Sequence, residues 1–68
     1  MSDKVEEIVE RAIEYTRPWL EYAPERWPAA RRGLQRIRDD LLRDAPSHPA
    51  LLRLTAFIAQ WDRRAGGA

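Results

Sequence analysis

Apolar residues in this chain recur every three or four positions, in three blocks punctuated by prolines, and nowhere alternate as a strand requires. That periodicity leaves helices as the building material. In residues 3–23, Val5, Ile8, Val9, Ala12, Ile13, Thr16, Trp19, Leu20 and Ala23 form one amphipathic stripe. Ser2 or Asp3 is placed to cap its start, and the early glutamates suit the positive end of the helix dipole. Pro18 looks like a breaker, because an interior proline removes a donor and costs roughly 3 kcal/mol. Yet the stripe keeps its phase across it. At about 100° per residue Pro18 falls on the solvent side, where water reaches the freed carbonyl of Glu14. One long helix kinked at Pro18 is expected, with a break at Thr16 as the alternative.

Residues 22–28 read as a turn, with Pro24 and Pro28 each able to open a helix. A second helix is expected over 28–45, on a narrow stripe of Ala30, Leu34, Ile37, Leu41 and Ala45 with Leu42 on its flank. Pro46 stops it. Ser47 is a candidate cap for a third helix over 48–64, with Pro49 in its first turn. Short connections imply antiparallel neighbours, so the expected fold is all-α: a small antiparallel three-helix bundle, expected to be oligomeric. Residues 1–64 would form the one domain and residues 65–68 a flexible tail.

Sixty-eight residues can fill a small core but cannot also wall off a deep catalytic pocket, so no enzyme is expected. The absence of cysteine removes disulfides, thiol nucleophiles and thiolate metal sites. His48 is the single histidine, which leaves at most half a zinc site with Asp44 and more plainly a turn residue that helps to cap. No metal or cofactor is expected. No apolar run reaches the length of a membrane span, and Met1 leads into charged residues rather than a signal peptide, so a cytoplasmic protein with no membrane partner is expected.

The formal net charge is only +1, but it is unevenly spread. Residues 1–25 carry seven acids against three bases, and residues 26–68 carry nine arginines against four aspartates. Either the halves neutralise each other on folding or one of them meets a charged partner. The acidic stripe Asp3, Glu7, Glu10, Glu14 and Glu21 reads as a solvated face, partly paired through Glu7–Arg11 and Glu14–Arg17. Arg26, Arg31, Arg32, Arg36 and Arg38 form a run without an acid, the pattern of a phosphate-binding helix. Asp39 and Asp40 temper it, being placed to pair with Arg43 and Arg36. Arg31 and Arg38 border the apolar stripe, where their stems can cover the core and their heads can reach first-helix carboxylates or another subunit. A helix-turn-helix reader is excluded by the third helix, which is too apolar to enter a groove of DNA.

That third helix is the most apolar segment. Leu51, Leu54, Phe57, Ile58 and Trp61 suffice to face the other two helices. A second apolar flank remains at Leu52, Thr55, Ala56 and Ala59, with Arg53 and Gln60 at its rim. The aromatics Tyr15, Trp19 and Tyr22 stand at helical spacing and read as core or core edge rather than a ligand pocket. The expected function is a small non-enzymatic protein–protein interaction module, a homo-oligomeric adaptor or regulator that uses the third-helix flank to meet itself or another helical protein. The alternative is a nucleic-acid-associated protein binding phosphates through the five arginines.

Overall fold

The computed structural model describes residues 3–66, and those residues fold into an all-α bundle of three helices packed against one another. These are α1 (Lys4–Tyr22), α2 (Trp27–Asp44) and α3 (Ala50–Gly66), with a single 3-10 turn at Pro24–Arg26 between the first two. Ser2 and the last two residues of the expected tail lie outside the described residues.

Asp3 caps α1, its carboxylate accepting the backbone N–H groups of Val5 at 3.0 Å and Glu6 at 3.3 Å. The helix then passes through Pro18 without a break, and Pro18 and Glu14 are both exposed to solvent. The side of the helix on which the proline falls therefore decides the outcome: the residue whose carbonyl it frees lies on the solvent side, where water can satisfy that carbonyl.

Three boundaries in particular differ from the sequence reading. α2 starts at Trp27 because the 3-10 turn feeds straight into it, and Pro28 occupies the first turn, where no N–H is needed. Trp27 thus joins the helix on the same line as Leu34 and Leu41, and all three are buried. α3 starts at Ala50, and its cap is His48, not Ser47: the His48 ring Nδ1 accepts the Ala50 N–H at 3.0 Å. The other ring nitrogen, Nε2, reaches the Asp3 carboxylate, so one side chain caps α3 and ties it to the start of α1. At its far end α3 continues through Ala65 to Gly66.

The side-chain ties fix the topology as up–down–up. Arg53, near the start of α3, lies 3.1 Å from Glu6 and 3.5 Å from Glu10, near the start of α1. Asp62, near the end of α3, meets Trp27 and Arg31 at the start of α2. α3 is the hub of the packing: Ala50, Leu51, Leu54, Phe57, Ile58 and Trp61 are buried, against only Val9, Thr16 and Leu20 on α1. Trp27 and Trp61 stack with ring centroids 6.1 Å apart, Phe57 tilts against Trp61 at 6.5 Å, and the Arg64 guanidinium lies 4.5 Å above the Trp61 ring. Among the described residues no helix is long and apolar enough to cross a membrane.

Asp62 holds the open end of this arrangement. It accepts the Trp27 indole N–H at 2.8 Å and the Arg31 Nε–H at 2.8 Å and 3.1 Å through its two oxygens. The indole bond first, then the guanidinium, keep its carboxyl below the usual aspartate range. The sequence reading sends the Arg31 head to first-helix carboxylates or to another subunit; it turns instead to Asp62 of α3, because its stem emerges on the α3 side of α2.

Two outcomes follow. Pro18→Ala should keep the fold and raise stability by about 1 kcal/mol or more, since alanine restores a helix hydrogen bond at a position already helical. A urea midpoint lower than wild type would place a segment boundary at Pro18. For Asp62, a folded-state pKa below the unfolded value of about 3.9 means that its contribution is complete above that pH and is lost as pH falls through the lowered value. The melting temperature of Asp62→Asn should therefore lie below wild type at neutral pH, with the gap closing toward pH 2. A gap independent of pH would show that the charge of Asp62 is not what ties α2 to α3.

Candidate functional site

α1 and α2 are the least intimately packed pair, and an open apolar groove runs along their seam on the side away from α3. Ala12, Tyr15, Thr16 and Trp19 line it from α1, and Ala30, Gly33, Leu34 and Ile37 from α2. Its volume is about 230 Å³. Leu34 and Thr16 are buried at its floor, and a Cβ added at Gly33 would meet nothing within 4 Å. The wall on α1 is a ridge: Ile8, Ala12, Tyr15, Trp19 and Tyr22 recur at alternating spacings of four and three, the repeat of a helix–helix seam. This line lies about 100° round the helix from the core line Val9–Thr16–Leu20. Ala12 at its middle packs on the core, while its large side chains are left mostly uncovered.

The exposures make the point. Tyr15 is 82% exposed, Tyr22 89% and Trp19 42%, with Ile8 at 39%. Reading the Tyr15–Trp19–Tyr22 series as core or core edge is therefore corrected: Tyr15 and Tyr22 stand in solvent, and Trp19 only leans on the bundle. The sequence held the signal. The apolar arc of the first helix is about half its circumference, wider than one core face needs, because two stripes run side by side along it. Gly33, which reads in sequence only as a weak point of the helix, is the hollow opposite the ridge.

The third-helix flank is open too. Leu52 is 74% exposed, Thr55, Ala56 and Ala59 are exposed beside it, and Leu42 of α2 extends the patch at 40%. Leu42, Pro46, Leu52 and Thr55 border a shallow hollow of about 210 Å³. Arg63, two turns beyond Ala56 on the same side, closes the strip with a charge. Of the two rim residues, Gln60 is exposed, whereas Arg53 turns to the acids of α1.

The five arginines are not brought together. Arg31 is held by Asp62, and Arg38 lies half-buried, 4.0 Å from Asp39. Arg38 Nε is a buried donor without a partner. Only Arg32 and Arg36 point outward along α2, with Arg26 in the 3-10 turn. Asp40 pairs with Arg43 at 3.7 Å and not with Arg36. On α1, Glu7 pairs with Arg11 at 2.9 Å as the spacing predicts. Glu14 and Arg17 form no such pair. Among the described residues no ion pair joins α1 to α2; the acidic and basic halves meet through α3, where Arg53 reaches Glu6 and Glu10. Nor does any group of three or more His, Asp or Glu side chains among these residues converge on a metal-sized point.

A cavity of about 420 Å³ lies at the end of the bundle between Leu20, Glu21, Pro24, Trp61, Arg64 and Ala65. It is open, and Trp61 is the one aromatic ring in its lining. No family model, curated protein or solved structure matches this chain.

The groove residues should matter little to folding. Tyr15→Ser should change monomer stability by less than about 0.5 kcal/mol, whereas Leu54→Ala, at a fully buried site, should cost about 2–5 kcal/mol. Urea unfolding at low protein concentration measures both, and a Tyr15→Ser cost near that of Leu54→Ala would return the ridge to the core.

Proposed function

We propose that this chain is a small, non-enzymatic protein–protein interaction module that takes a helix of its partner into the α1–α2 groove. The observation that carries the reading is the exposed ridge: an apolar line with the four–three spacing of a helix seam, lying beside a hollow of small residues. Monomeric surfaces scatter their large apolar groups singly; an aligned row of aromatic side chains marks a contact. The groove has no convergent polar groups to orient a small substrate, which favours a helix over a metabolite. An adaptor or regulatory role in the cytoplasm belongs to the same proposal. The exposed Leu52 beside Leu42 supports a second reading, in which the contact is made through the outer flank of α3. The groove is preferred because it offers aromatic anchors, where the α3 strip offers one leucine among small residues and ends at Arg63.

A photo-crosslinking side chain tests this when placed at Trp19, at Leu52 and at Arg43 in cells expressing the protein. Adducts to protein should form from position 19 and be absent from position 43. Adducts from position 52 alone would move the contact to α3. A salt-sensitive complex with duplex DNA, abolished by Arg32→Glu with Arg36→Glu and accompanied by no protein adduct, would replace the proposal with the phosphate-binding alternative.

A further inference from the structure

We infer that the occupant of the groove is a second copy of this chain, docked about a two-fold axis that runs along the helices; the inference rests on the groove being the working surface. Ridge and hollow lie side by side on one face, which is what an isologous contact requires: each copy supplies the knob for the other's hole. The antiparallel order of the groove sets Trp19 level with Ala30, Tyr15 level with Gly33 and Ala12 level with Ile37. A two-fold axis along the helices keeps every residue at its own height and lays α1 of one copy over α2 of the other. Tyr15 then enters the space above the partner's Gly33, where a Cβ has no neighbour.

Shape and charge select this axis over the other two-fold arrangement. With the axis across the helices, α1 would lie on α1 and α2 on α2, setting ridge on ridge and hollow on hollow. With the axis along the helices the ridge meets the hollow, and Lys4, which continues the ridge line four positions before Ile8, comes level with the partner's Asp44, seven positions beyond Ile37 on the groove side of α2. Both are exposed, and neither has an ion-pair partner within 4 Å among the described residues. The exposed parts of Tyr15, Trp19 and Tyr22 alone amount to on the order of 500 Å². A standard interface buries about 800 Å² per partner, so the ridge supplies most of one.

Sedimentation equilibrium of the full chain, with circular dichroism on every variant, tests the inference. The wild type should dimerise at tens of micromolar. Gly33→Gln should be monomeric and still helical, because the new side chain fills only the hollow and glutamine is the better helix former. Lys4→Glu and Asp44→Lys should each weaken the dimer by roughly threefold, through lost pairing and new repulsion, and the two together should restore it to near wild type. A dimer weakened by Lys4→Glu and by Asp44→Lys but not restored by the two together would overturn the axis. A wild-type monomer whose position 19 crosslinks to a different protein would overturn the second copy and leave the groove as the working surface. A dimer unmoved by Gly33→Gln and by both charge reversals but lost on Ala56→Glu would overturn both, placing the contact on α3.

Discussion

The carboxylate of Asp62 governs how the three helices sit. It gathers the Trp27 indole and the Arg31 guanidinium from the first two turns of α2 and binds both to the last turns of α3. Beneath it, Trp27 stacks on Trp61, so an apolar contact and a charge-assisted one act at the same place. At the opposite end the start of α3 is tied to α1 by His48 on Asp3 and by Arg53 on Glu6 and Glu10. Among the described residues every polar side-chain tie between helices therefore involves α3 or the turn that leads into it. Without the Asp62 carboxylate, α2 and α3 would be left at that end with the Trp27–Trp61 stack and, among the described residues, no polar tie.

This uneven tying explains the groove. A third helix that draws α1 and α2 to itself fills one side of their seam and leaves the other side open. The core sits around Leu54, which is fully buried, with Val9 and Leu20 of α1 and Leu34 of α2 packed toward it. Side chains a quarter-turn away on α1 have nothing left to cover them, and these are the aromatic ones. On α2 the corresponding positions are alanine, glycine and a half-buried isoleucine, so the far side of the seam has a ridge on one wall and a hollow on the other. An isolated domain gains nothing from exposing three aromatic rings. A domain of this size that buries them against a neighbour adds apolar burial that its own core is too small to provide.

The same tying distributes the charges. Glu6 and Glu10 are used by Arg53, Arg31 is used by Asp62, and Arg38 is laid down along the core with its Nε dry. What remains outward is a sparse acidic edge on α1 and, on α2, Arg32, Arg36 and Arg43 interspersed with the exposed Asp39, Asp40 and Asp44. Five arginines that look continuous in sequence are thereby divided among three surroundings, and the phosphate-binding pattern loses the single face that it needs.

The sequence by itself determined the elements. Periodicity named all three helices, Asp3 was readable as a cap, and the phase of the stripe across Pro18 showed that the proline lies outward, because these are properties of one helix and its own solvent. It also identified the face of α3 that became core, since a continuous line of large side chains from Leu51 to Trp61 can only be buried. What it left undecided was every choice between two apolar faces of one helix. Val9 and Trp19 both belong to the stripe of α1, and no spacing rule says which of them meets α3. Trp27 looked like part of a turn until a 3-10 segment brought it into line with Leu34, and His48 displaced Ser47 as a cap because Asp3, forty-five positions earlier, holds the ring in place. The position of α3 decided these matters. A helix carries its own periodicity, but which part of a wide apolar arc is buried depends on where the neighbouring helix lies, and that is set by contacts such as Asp62 with Trp27 and Arg31 between residues far apart in the chain.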